Sequence, residues 1–534
     1  MSSDSDRVIF DEAVSPQDNS VLFQQKRWTY ITDSTSNGGT FSGQLQFDLN
    51  ALSSQNQWTS LSQAIIQFPV KLSLKANAAV GTAGAQQFSN WSATVKNGFH
   101  QFVDSVQITL GGTTVQSSQI FENINATYKI LSKWSEEELR AFGPSLGISL
   151  DDYQLYADGA ASVSSSTYDG LDNLPVAALS PAYAGVVYPV ARNPGYKERA
   201  QFLNTNVAAT SSASAILGSN AQSMGKGSCQ NAGTASGTIT SGSDVFVGFY
   251  LATVRLKDLS DCIANLPLMK NMKGFIYINY NAATVSYTAT AGTGAVKTTP
   301  VQQAIYGRCM PAMLDSTVNA SIDMPLTFTA EISAVKKVDR ALSMKKTLRY
   351  NERFVTTFQI GANGQFSGTL SPGVVNPQRV ILYPYLTGAN GSTPGVAAFN
   401  SNPLLSPWDA VPATTSPFAA LTNLQITVGG VPQWQGPITM DYENFIQEVV
   451  QQGMDGSQNS ETGSGLLGQR YWNQMARFYT CDTGRRMGSD DGSSKSILVS
   501  CSNPTCAQMT VIAMIWYQRE IVVDTAMGSI SQGL

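Results

Sequence analysis

The sequence VQITLGG at positions 106–112 returns as LQITVGG at positions 424–430, 318 residues later. In both copies apolar residues alternate with polar ones, and two glycines follow. Such alternation is typical of a β-strand with one buried face, and a Gly-Gly pair is typical of a tight turn that needs positive φ. The two stretches therefore predict equivalent strands and turns in two related halves of the chain.

Three more pairs of segments repeat in the same order and at nearly the same spacing, which makes chance a poor explanation. The pairs are GTFSGQL at 39–45 with GQFSGTL at 364–370, AIIQFPV at 64–70 with RVILYPY at 379–385, and FENI at 121–124 with YENF at 442–445. A weaker fifth match pairs 276–280 with 514–517. We therefore predict two tandem copies of one β-sandwich, each with a strand, a Gly-Gly turn and then a helix.

The composition indicates a protein that either stays soluble through amides and hydroxyls or shares much of its surface with neighbours. The 534 residues weigh 57.1 kDa, and 42% are hydrophobic, which is enough for a full core and excludes a mostly disordered chain. Charged residues are only 13%, about half of the usual ~25%, and they nearly cancel to a net charge of −4. The chain as a whole is therefore not a basic nucleic-acid binder. We expect so weakly charged a surface to be covered in part by other chains.

Short β-prone segments between clusters of Gly, Ser, Asn and Pro predict an all-β sandwich fold with few helices. The apolar residues in 120–131 recur at helical spacing and predict one helix. Ser135 and Glu138 form a capping box that predicts the start of the next helix, and Gly143-Pro144 is expected to end it. Two further apolar stripes of helical spacing lie at 256–266, before Pro267, and at 442–450, before Gly453.

These signals divide the chain into five parts. We expect an N-terminal arm at 1–29, a first sandwich at 30–315, a basic connector at 316–345, a second sandwich at 346–527 and a C-terminal tail at 528–534. The first sandwich carries an insertion at about 204–243 that is rich in small and polar residues and has no counterpart in the second. Its composition predicts a long exposed loop.

Neither a secretion signal nor a membrane span is predicted. The first residues lack the basic and apolar regions of a signal peptide. The longest strongly apolar run, at 509–517, is far shorter than the ~20 residues that cross a bilayer.

The single histidine and the scattered cysteines give little support for a metal or catalytic centre. Because His100 is the only histidine, a multi-histidine metal site is excluded, and its place before an apolar strand favours a packed residue. The six cysteines form no Cys-x-x-Cys motif, so structural zinc is not expected. Cys501 and Cys506 flank a turn-like tetrapeptide and could face each other, but in a reducing compartment we expect two free thiols. No cofactor is predicted.

The motifs that would indicate an enzyme are weak. GSGLLG at 463–468 matches the dinucleotide-binding pattern, with Asp490 and Asp491 about 20 residues on. That site needs a buried parallel strand before it, and a polar run precedes this one, so a flexible loop is the better interpretation. The sequence has neither a nucleophile elbow nor a phosphate-binding loop. The adjacent carboxylates at Asp151-Asp152 diverge in direction, so no catalytic pair is predicted from them.

Three segments resemble those of a known family. LKDLSD at 256–261 with NLPL at 265–268 is similar to the family's segment near the end of its first jelly roll. NPQRVILYP at 376–384 is similar to a strand of its second jelly roll, and REIVVD at 519–524 with Gly528 to its terminal strand. The family is the double jelly-roll major capsid proteins of virophages and polinton-like viruses, related to those of adenoviruses and tectiviruses. The resemblance covers about residues 25–530 and rests on packing signatures.

The resemblance implies a fold and a structural role. The expected fold is two tandem jelly-roll β-sandwiches with a few short helices in loops, and the expected assembly is a homotrimer that forms a pseudo-hexagonal capsomer of an icosahedral shell. The implied partners are other copies of the chain, penton and minor capsid proteins, and the implied location is the virion. No catalytic residues are implied. A non-viral carbohydrate-binding or carbohydrate-active protein on paired jelly rolls remains the alternative.

Seven basic residues within eighteen positions form a cluster at the junction of the two copies, and two interpretations remain open. The cluster could be a solvated connector with salt bridges to Asp339 and Glu352, which we favour. Alternatively, it could face the interior of a shell and contact packaged DNA weakly through its phosphates, whatever the base sequence. The residues are Lys336, Lys337, Arg340, Lys345, Lys346, Arg349 and Arg353.

Overall fold

The computed structural model describes seventeen stretches of the chain, and all structural statements below concern them. They are residues 25–34, 43–53, 57–75, 94–150, 227–231, 244–283, 287–291, 294–298, 301–304, 307–315, 345–387, 404–405, 407–409, 419–450, 465–474, 476–484 and 493–532. Three elements of the sequence-based predictions lie outside this part of the chain: Asp151-Asp152, Asp490-Asp491 and most of the connector with Lys336, Lys337, Asp339 and Arg340.

The first half of the described chain contains fourteen strands and four helices. The strands are β1 Gln25–Trp28, β2 Ile31–Thr32, β3 Gln44–Asp48, β4 Trp58–Lys75, β5 Thr94–Val95, β6 Val103–Leu110, β7 Thr113–Gln116, β8 Gly227–Asn231, β9 Asp244–Arg255, β10 Gly274–Tyr280, β11 Tyr287–Ala291, β12 Gly294–Thr298, β13 Val301–Ala304 and β14 Arg308–Asp315. The helices are α1 Glu122–Lys133, α2 Glu136–Leu146, α3 Leu256–Leu259 and α4 Asp261–Asn265.

The second half contains ten strands and two helices in the part that the structure describes. The strands are β15 Lys345–Ile360, β16 Gln365–Val374, β17 Pro377–Leu386, β18 Trp408–Asp409, β19 Thr422–Val428, β20 Val431–Pro432, β21 Tyr479–Asp482, β22 Lys495–Ser502, β23 Met509–Asp524 and β24 Ser529–Gln532. The helices are α5 Tyr442–Val450 and α6 Gln469–Gln474.

Each half forms two sheets with the same strand order. Sheet A1 runs β1-β14-β4-β9-β8 and sheet B1 runs β3-β10-β6-β7. Sheet A2 runs β15-β23-β17-β21 and sheet B2 runs β16-β22-β19-β20. If the eight shared strands of each half are numbered along the chain, the A sheets have the order 1-8-3-6 and the B sheets 2-7-4-5, which is the connectivity of a jelly roll. The prediction of two tandem jelly-roll sandwiches is therefore confirmed.

The Gly-Gly turns are equivalent in the two sandwiches. Gly111 and Gly429 both have φ of 56°, and Gly112 and Gly430 both have φ of 84°. The first turn joins β6 to β7 and the second joins β19 to β20. Two successive residues in the left-handed region are what a two-residue hairpin turn requires, so the sequence-based prediction at these positions is confirmed.

The fifth and weakest sequence match is wrong. Residues 276–280 belong to β10, whose topological counterpart is β22, whereas 514–517 belong to β23, the counterpart of β14. Both segments are apolar strands that lie next to long partners, so their similarity reflects burial and not descent from one repeated element.

The two hydrophobic cores exchange residues. The core of the first sandwich includes Leu348 and Tyr350 from β15, Ile521 and Val523 from β23, and Ile530 from β24. The core of the second sandwich includes residues of α1 and α2, which follow β7 in the first. Each core is therefore completed by the other half of the chain, and the two sandwiches form one packed unit.

The helices confirm most of the predicted stripes, with three corrections. The capping box of Ser135 and Glu138 is present, but α2 continues through Pro144 to Leu146. It ends at Gly147, whose φ of 70° lets Ile148 donate to the Gly143 carbonyl at 2.8 Å. The stripe at 256–266 is two helices, because the Ser260 side chain caps a new helix by accepting from the Ile263 amide. Ile120 lies before α1 and is exposed.

Three predicted boundaries differ from the observed ones. Strand β1 lies inside the predicted N-terminal arm and pairs with β14. Strand β8 lies inside the insertion predicted as a loop and pairs with β9. Strand β24 lies in the predicted tail and pairs with β23. Edge strands that are short and polar carry little hydrophobic pattern, so the sequence alone did not distinguish them from loops.

Candidate functional site: the interface between the sandwiches

Helix α1 lies between the two sandwiches and is buried along its whole first three turns, from Glu122 to Ser132. A helix that is buried all round must satisfy its polar side chains within the protein. The polar residues of α1 that contact the second sandwich are Glu122, Asn125, Tyr128 and Lys129. We refer to these four residues and their partners as the α1 interface.

A buried ion pair joins the first turn of α1 to β15. The Arg353 guanidinium lies 2.8 Å from a carboxylate oxygen of Glu122, and the two side chains are 6% and 0% exposed. Arg353 also donates to the carbonyls of Phe121 and Gln119, at 3.0 and 2.6 Å. Burial raises the pKa of Glu122 and lowers that of Arg353, and the charge of each partner opposes the other's shift. Neither charge could stay buried without the other.

A second ion pair lies at the other end of α1. Lys129 Nζ is 2.8 Å from Asp261 Oδ1 in α4, and the same ammonium group lies 5.6 Å from the ring centre of Trp516. Burial by itself raises the pKa of Asp261, but the nearby Lys129 and Lys133 hold it below its usual range. Asp261 is therefore held in its charged form, and the contacts of Lys129 join α1, α4 and β23.

Aromatic and amide groups fill the middle of the α1 interface. Trp516 Nε1 donates to Asn125 Oδ1 at 3.0 Å. The ring of Tyr128 meets Trp516 and Phe478 edge-on, with centroid distances of 5.8 and 5.3 Å. Arg379, which is fully buried, donates to the Tyr128 hydroxyl at 2.9 Å. These contacts cover one face of sheet A2 with a helix of the first sandwich.

A second link runs from the end of β7 to β15 and β23. The Glu352 carboxylate accepts from the Ser117 amide at 2.8 Å and hydroxyl at 2.6 Å, and from Arg519 at 2.9 Å. The Tyr350 hydroxyl donates to the Val115 carbonyl at 2.6 Å. The carboxylate thus bridges both halves of the chain.

The three segments that carry the family resemblance meet at these two links. Asp261 comes from the first segment, Arg379 from the second and Arg519 from the third. Gly528, at the end of the third segment, lies against the carbonyls of Lys270 and Asn271 so closely that a Cβ atom would be 2.5 Å from an oxygen. The sequence identified these segments as packing signatures, but it did not show which contacts their residues make.

The structure separates the basic cluster into exposed and buried members. Lys345 and Lys346 are exposed, and Arg349 is 60% exposed beside Glu520 at 2.8 Å. Arg353 is buried in the ion pair with Glu122, so it is removed from the set of residues that could face a genome. Glu352 binds Arg519 and not a member of the cluster. Arg349 and Arg353 lie on the same side of β15, four residues apart, but only Arg353 is covered by the first turn of α1.

His100 and Cys501 are packed inside the fold. His100 is 4% exposed, its Nε2 lies 2.8 Å from Thr127 Oγ1, and burial lowers its pKa to about 3. Cys501 and Cys506 are both free thiols; Cys501 is buried, which raises its pKa to about 12, and Cys506 is exposed. The described part of the glycine motif, residues 465–468, contacts α1, where Gly465 packs against the carbonyl of Ser132.

The cavities at the α1 interface differ in size. An open one of about 1010 Å³ is lined by Arg349, Arg353 and Arg519 among others. The cavity lined by Glu122, Lys129, Asp261 and Arg353 has a volume of about 20 Å³, which holds about one water molecule. Among the residues that the structure describes, no three His, Cys, Asp or Glu side chains are grouped to hold a metal ion. No helix in the described stretches is long and apolar enough to cross a membrane. The arrangement joins the two sandwiches.

Comparison with known proteins gives structural likeness without sequence likeness. No family model matches the sequence, and no curated protein matches it. A chain in a cryo-EM structure of the Sputnik virophage aligns over 98% of this chain and 91% of its own length, with 12% identity and a TM-score of 0.50. The mavirus major capsid protein aligns over 98% and 93%, with 10% identity and a TM-score of 0.48. The Faustovirus major capsid protein aligns over 95% and 92%, with 8% identity and a TM-score of 0.43.

At 12% identity, the alignment with the Sputnik chain is evidence for the fold alone. It spans both sandwiches and nearly all of both chains. Together with the two strand orders of 1-8-3-6 and 2-7-4-5, it shows that this chain has a double jelly-roll fold.

Proposed function

We propose that the protein is a major capsid protein, the structural subunit of an icosahedral virus shell, which acts in the virion and has no enzymatic role. The observation that carries this proposal is the joining of two jelly rolls into one packed unit by the buried ion pair of Glu122 and Arg353 and by the exchange of core residues, in a chain whose fold matches a virophage chain over 98% of its length. A binding protein with two independent modules would not need each core to be completed by the other half of the chain.

The proposed assembly is a homotrimer with six similar sandwiches. Identical subunits usually form closed rings, and two similar sandwiches in each chain give six lobes when three chains close the ring. The chain carries only 13% charged residues, which suits surfaces that are buried between neighbours. Neighbouring trimers, penton proteins and minor capsid proteins are the further partners that this role requires.

Light scattering of the purified protein tests the proposal. We expect a particle of about three times 57.1 kDa at low and at molar salt, because screening weakens exposed charge pairs and leaves apolar contacts intact. Negative-stain images should show hexagonal outlines. A monomer at micromolar concentration would contradict the capsomer and favour the carbohydrate-binding alternative.

The exposed part of the basic cluster has a proposed partner of its own. Lys345, Lys346 and Arg349 lie at the start of β15 and are available for weak contacts with DNA phosphates on the interior of a shell. The double variant Lys345→Glu, Lys346→Glu should lower the affinity of the trimer for duplex DNA and flatten its dependence on salt. Equal binding by the variant and the wild type would leave the cluster as a solvated connector.

A further inference from the structure

The outer face of sheet B1 carries two aromatic rings. Every second residue of β10 is buried, and Ile276 and Ile278 belong to the core of the first sandwich. Phe275 and Tyr277 therefore lie on the opposite, outer face, where both are half-buried. Their ring centroids are 6.0 Å apart, and the ring planes meet at 26°. Two nearly parallel rings on one face of a sheet offer a rigid apolar surface to a ligand.

Polar side chains border both rings. Tyr277 lies opposite Gln46 of β3 on one side and Gln107 of β6 on the other. The second ring is bordered in the same way by a carboxylate from β3 and a hydroxyl from β6. Opposite residues in neighbouring strands have Cβ atoms about 5 Å apart, so each ring has hydrogen-bonding groups beside it. We call this surface the aromatic face, and it consists of Gln46, Asp48, Gln107, Thr109, Phe275 and Tyr277.

The two amides of the aromatic face are available to a ligand. Within the described stretches, the structure gives neither the Gln46 nor the Gln107 side chain a hydrogen-bond partner. Each amide offers both donors and an acceptor. The next pair of residues along the same face differs, because Asn279 donates to the Ser105 hydroxyl at 2.6 Å and is satisfied within the protein. The groups that could bind a ligand are therefore concentrated around the two rings.

The equivalent sheet of the second sandwich has no such rings. The repeated sequences VQITLGG and LQITVGG give both sandwiches the same Gln and Thr on this strand. In the first sandwich the Gln and Thr lie opposite Tyr277 and Phe275. In the second they lie opposite Ser500 and Leu498. The same fold is thus built without aromatic residues at these positions, so their presence in sheet B1 needs a reason other than folding.

We propose that the aromatic face binds a neutral carbohydrate chain. The C–H groups of a sugar ring form an apolar surface that packs against an aromatic ring, and its hydroxyls donate and accept hydrogen bonds as side-chain amides do. The face has no basic residue, and its one charged residue, Asp48, already accepts from the Asn50 amide at 2.8 Å. This charge disfavours sulfated and sialylated sugars. The proposal adds a ligand to the capsid subunit and does not depend on its oligomeric state.

Calorimetric titration of the full-length protein tests the proposal. The probes are cellohexaose, mannohexaose and chitohexaose, with a heparin hexasaccharide as the charged control. We expect a neutral probe to bind and heparin not to. The double variant Phe275→Leu, Tyr277→Ser, which copies the residues of β22, should weaken that binding about tenfold or more. Leu498→Ala, on the equivalent face of sheet B2, should bind as the wild type does. Binding of none of the neutral probes, or equal binding by the double variant, would overturn the proposal.

A second variant keeps the test decisive if the double variant fails to fold, as judged by circular dichroism. Gln107→Ala keeps both rings and removes one amide, so it should weaken binding of the same sugar in a folded protein. Unchanged affinity would overturn the role of the amides in the site. Light scattering of the same samples separates this proposal from the capsomer: a trimer that binds no sugar would overturn the aromatic face alone.

Discussion

The equivalent strands β4 and β17, which lie inside the two A sheets, show how one repeated fold serves two positions. In β4 buried and half-buried residues alternate along the middle of the strand, from Ala64 to Lys71. In β17 every residue from Arg379 to Pro384 is buried. The first pattern is that of a sheet with one covered face, and the second that of a sheet covered on both faces. In the described residues, β17 is therefore covered on both faces, whereas the middle of β4 has one covered face.

The same difference explains a flaw in one of the sequence matches. The match of AIIQFPV with RVILYPY aligns Phe68 with Tyr383. Phe68 points into its core, whereas Tyr383 lies on the same side of β17 as Arg379, which contacts α1. The two strands are equivalent, but the match is one residue out of phase, because a strand buried on both faces no longer marks its inward side with apolar residues.

The largest expected effect comes from breaking the buried ion pair that joins the sandwiches. Glu122→Gln keeps the shape of the side chain but leaves the buried Arg353 guanidinium without a counter-charge. We expect a loss of about 3–5 kcal/mol in the free energy of unfolding, measured by denaturant titration. The sandwiches should also unfold in separate transitions, since the two cores would lose their main polar link.

The exposed pair of Arg349 and Glu520 is the control for this variant. Both pairs join a residue of β15 to a carboxylate at 2.8 Å, but Arg349 is 60% exposed. Arg349→Ala should therefore cost less than about 1 kcal/mol. Equal losses for the two variants would mean that burial of the Glu122 pair does not matter to stability.

The second prediction compares the two Gly-Gly turns, whose backbones have the same φ values. A Cβ added at Gly111 would lie 2.8 Å from the Ile530 amide nitrogen, because β24 crosses this turn. At Gly429 the nearest atom is Lys495 Cγ at 3.5 Å. Both Gly→Ala variants should lose about 1–2 kcal/mol in the free energy of unfolding, because alanine is strained at positive φ. Gly111→Ala should lose about 1–3 kcal/mol more, because its Cβ would be overpacked against β24.

Thermal unfolding of the two glycine variants measures the difference. Its origin can be checked by deleting residues 529–534, after which Gly111→Ala and Gly429→Ala should cost the same. A persistent difference in the truncated chain would show that the crossing of β24 over Gly111 is not the cause.

The smallest expected effect concerns pH and the only histidine. Burial lowers the pKa of His100 to about 3, so the unfolded chain takes up a proton at His100 that the folded chain does not. As pH falls below about 6.5, this difference costs about 1.4 kcal/mol of stability for each pH unit, down to the folded pKa. His100→Gln should therefore lose less stability than the wild type between pH 7 and pH 5. If the stabilities of the two proteins fell in parallel as the pH was lowered, His100 would take up its proton in the folded chain as readily as in the unfolded chain.

Much of the fold could be predicted from the sequence, because it is encoded locally. The Gly-Gly turns need positive φ, the strands of the B sheets alternate, and Ser135 caps its helix, each within a few residues. The site was less predictable. Arg353 belonged to a basic cluster in sequence and to a buried ion pair in space, because α1 covers it and leaves Arg349, on the same side of β15, exposed.

The sequence by itself determined that the chain consists of two copies of one sandwich, because each copy repeats its own turns, strands and helix in order. Only the tertiary structure decided how the copies are joined. The partners Glu122 and Arg353 are 231 positions apart, and Arg379 meets Tyr128 across 251. No local pattern pairs residues at such separations, because what selects them is the requirement that a charge or hydroxyl buried between two sandwiches finds a partner there.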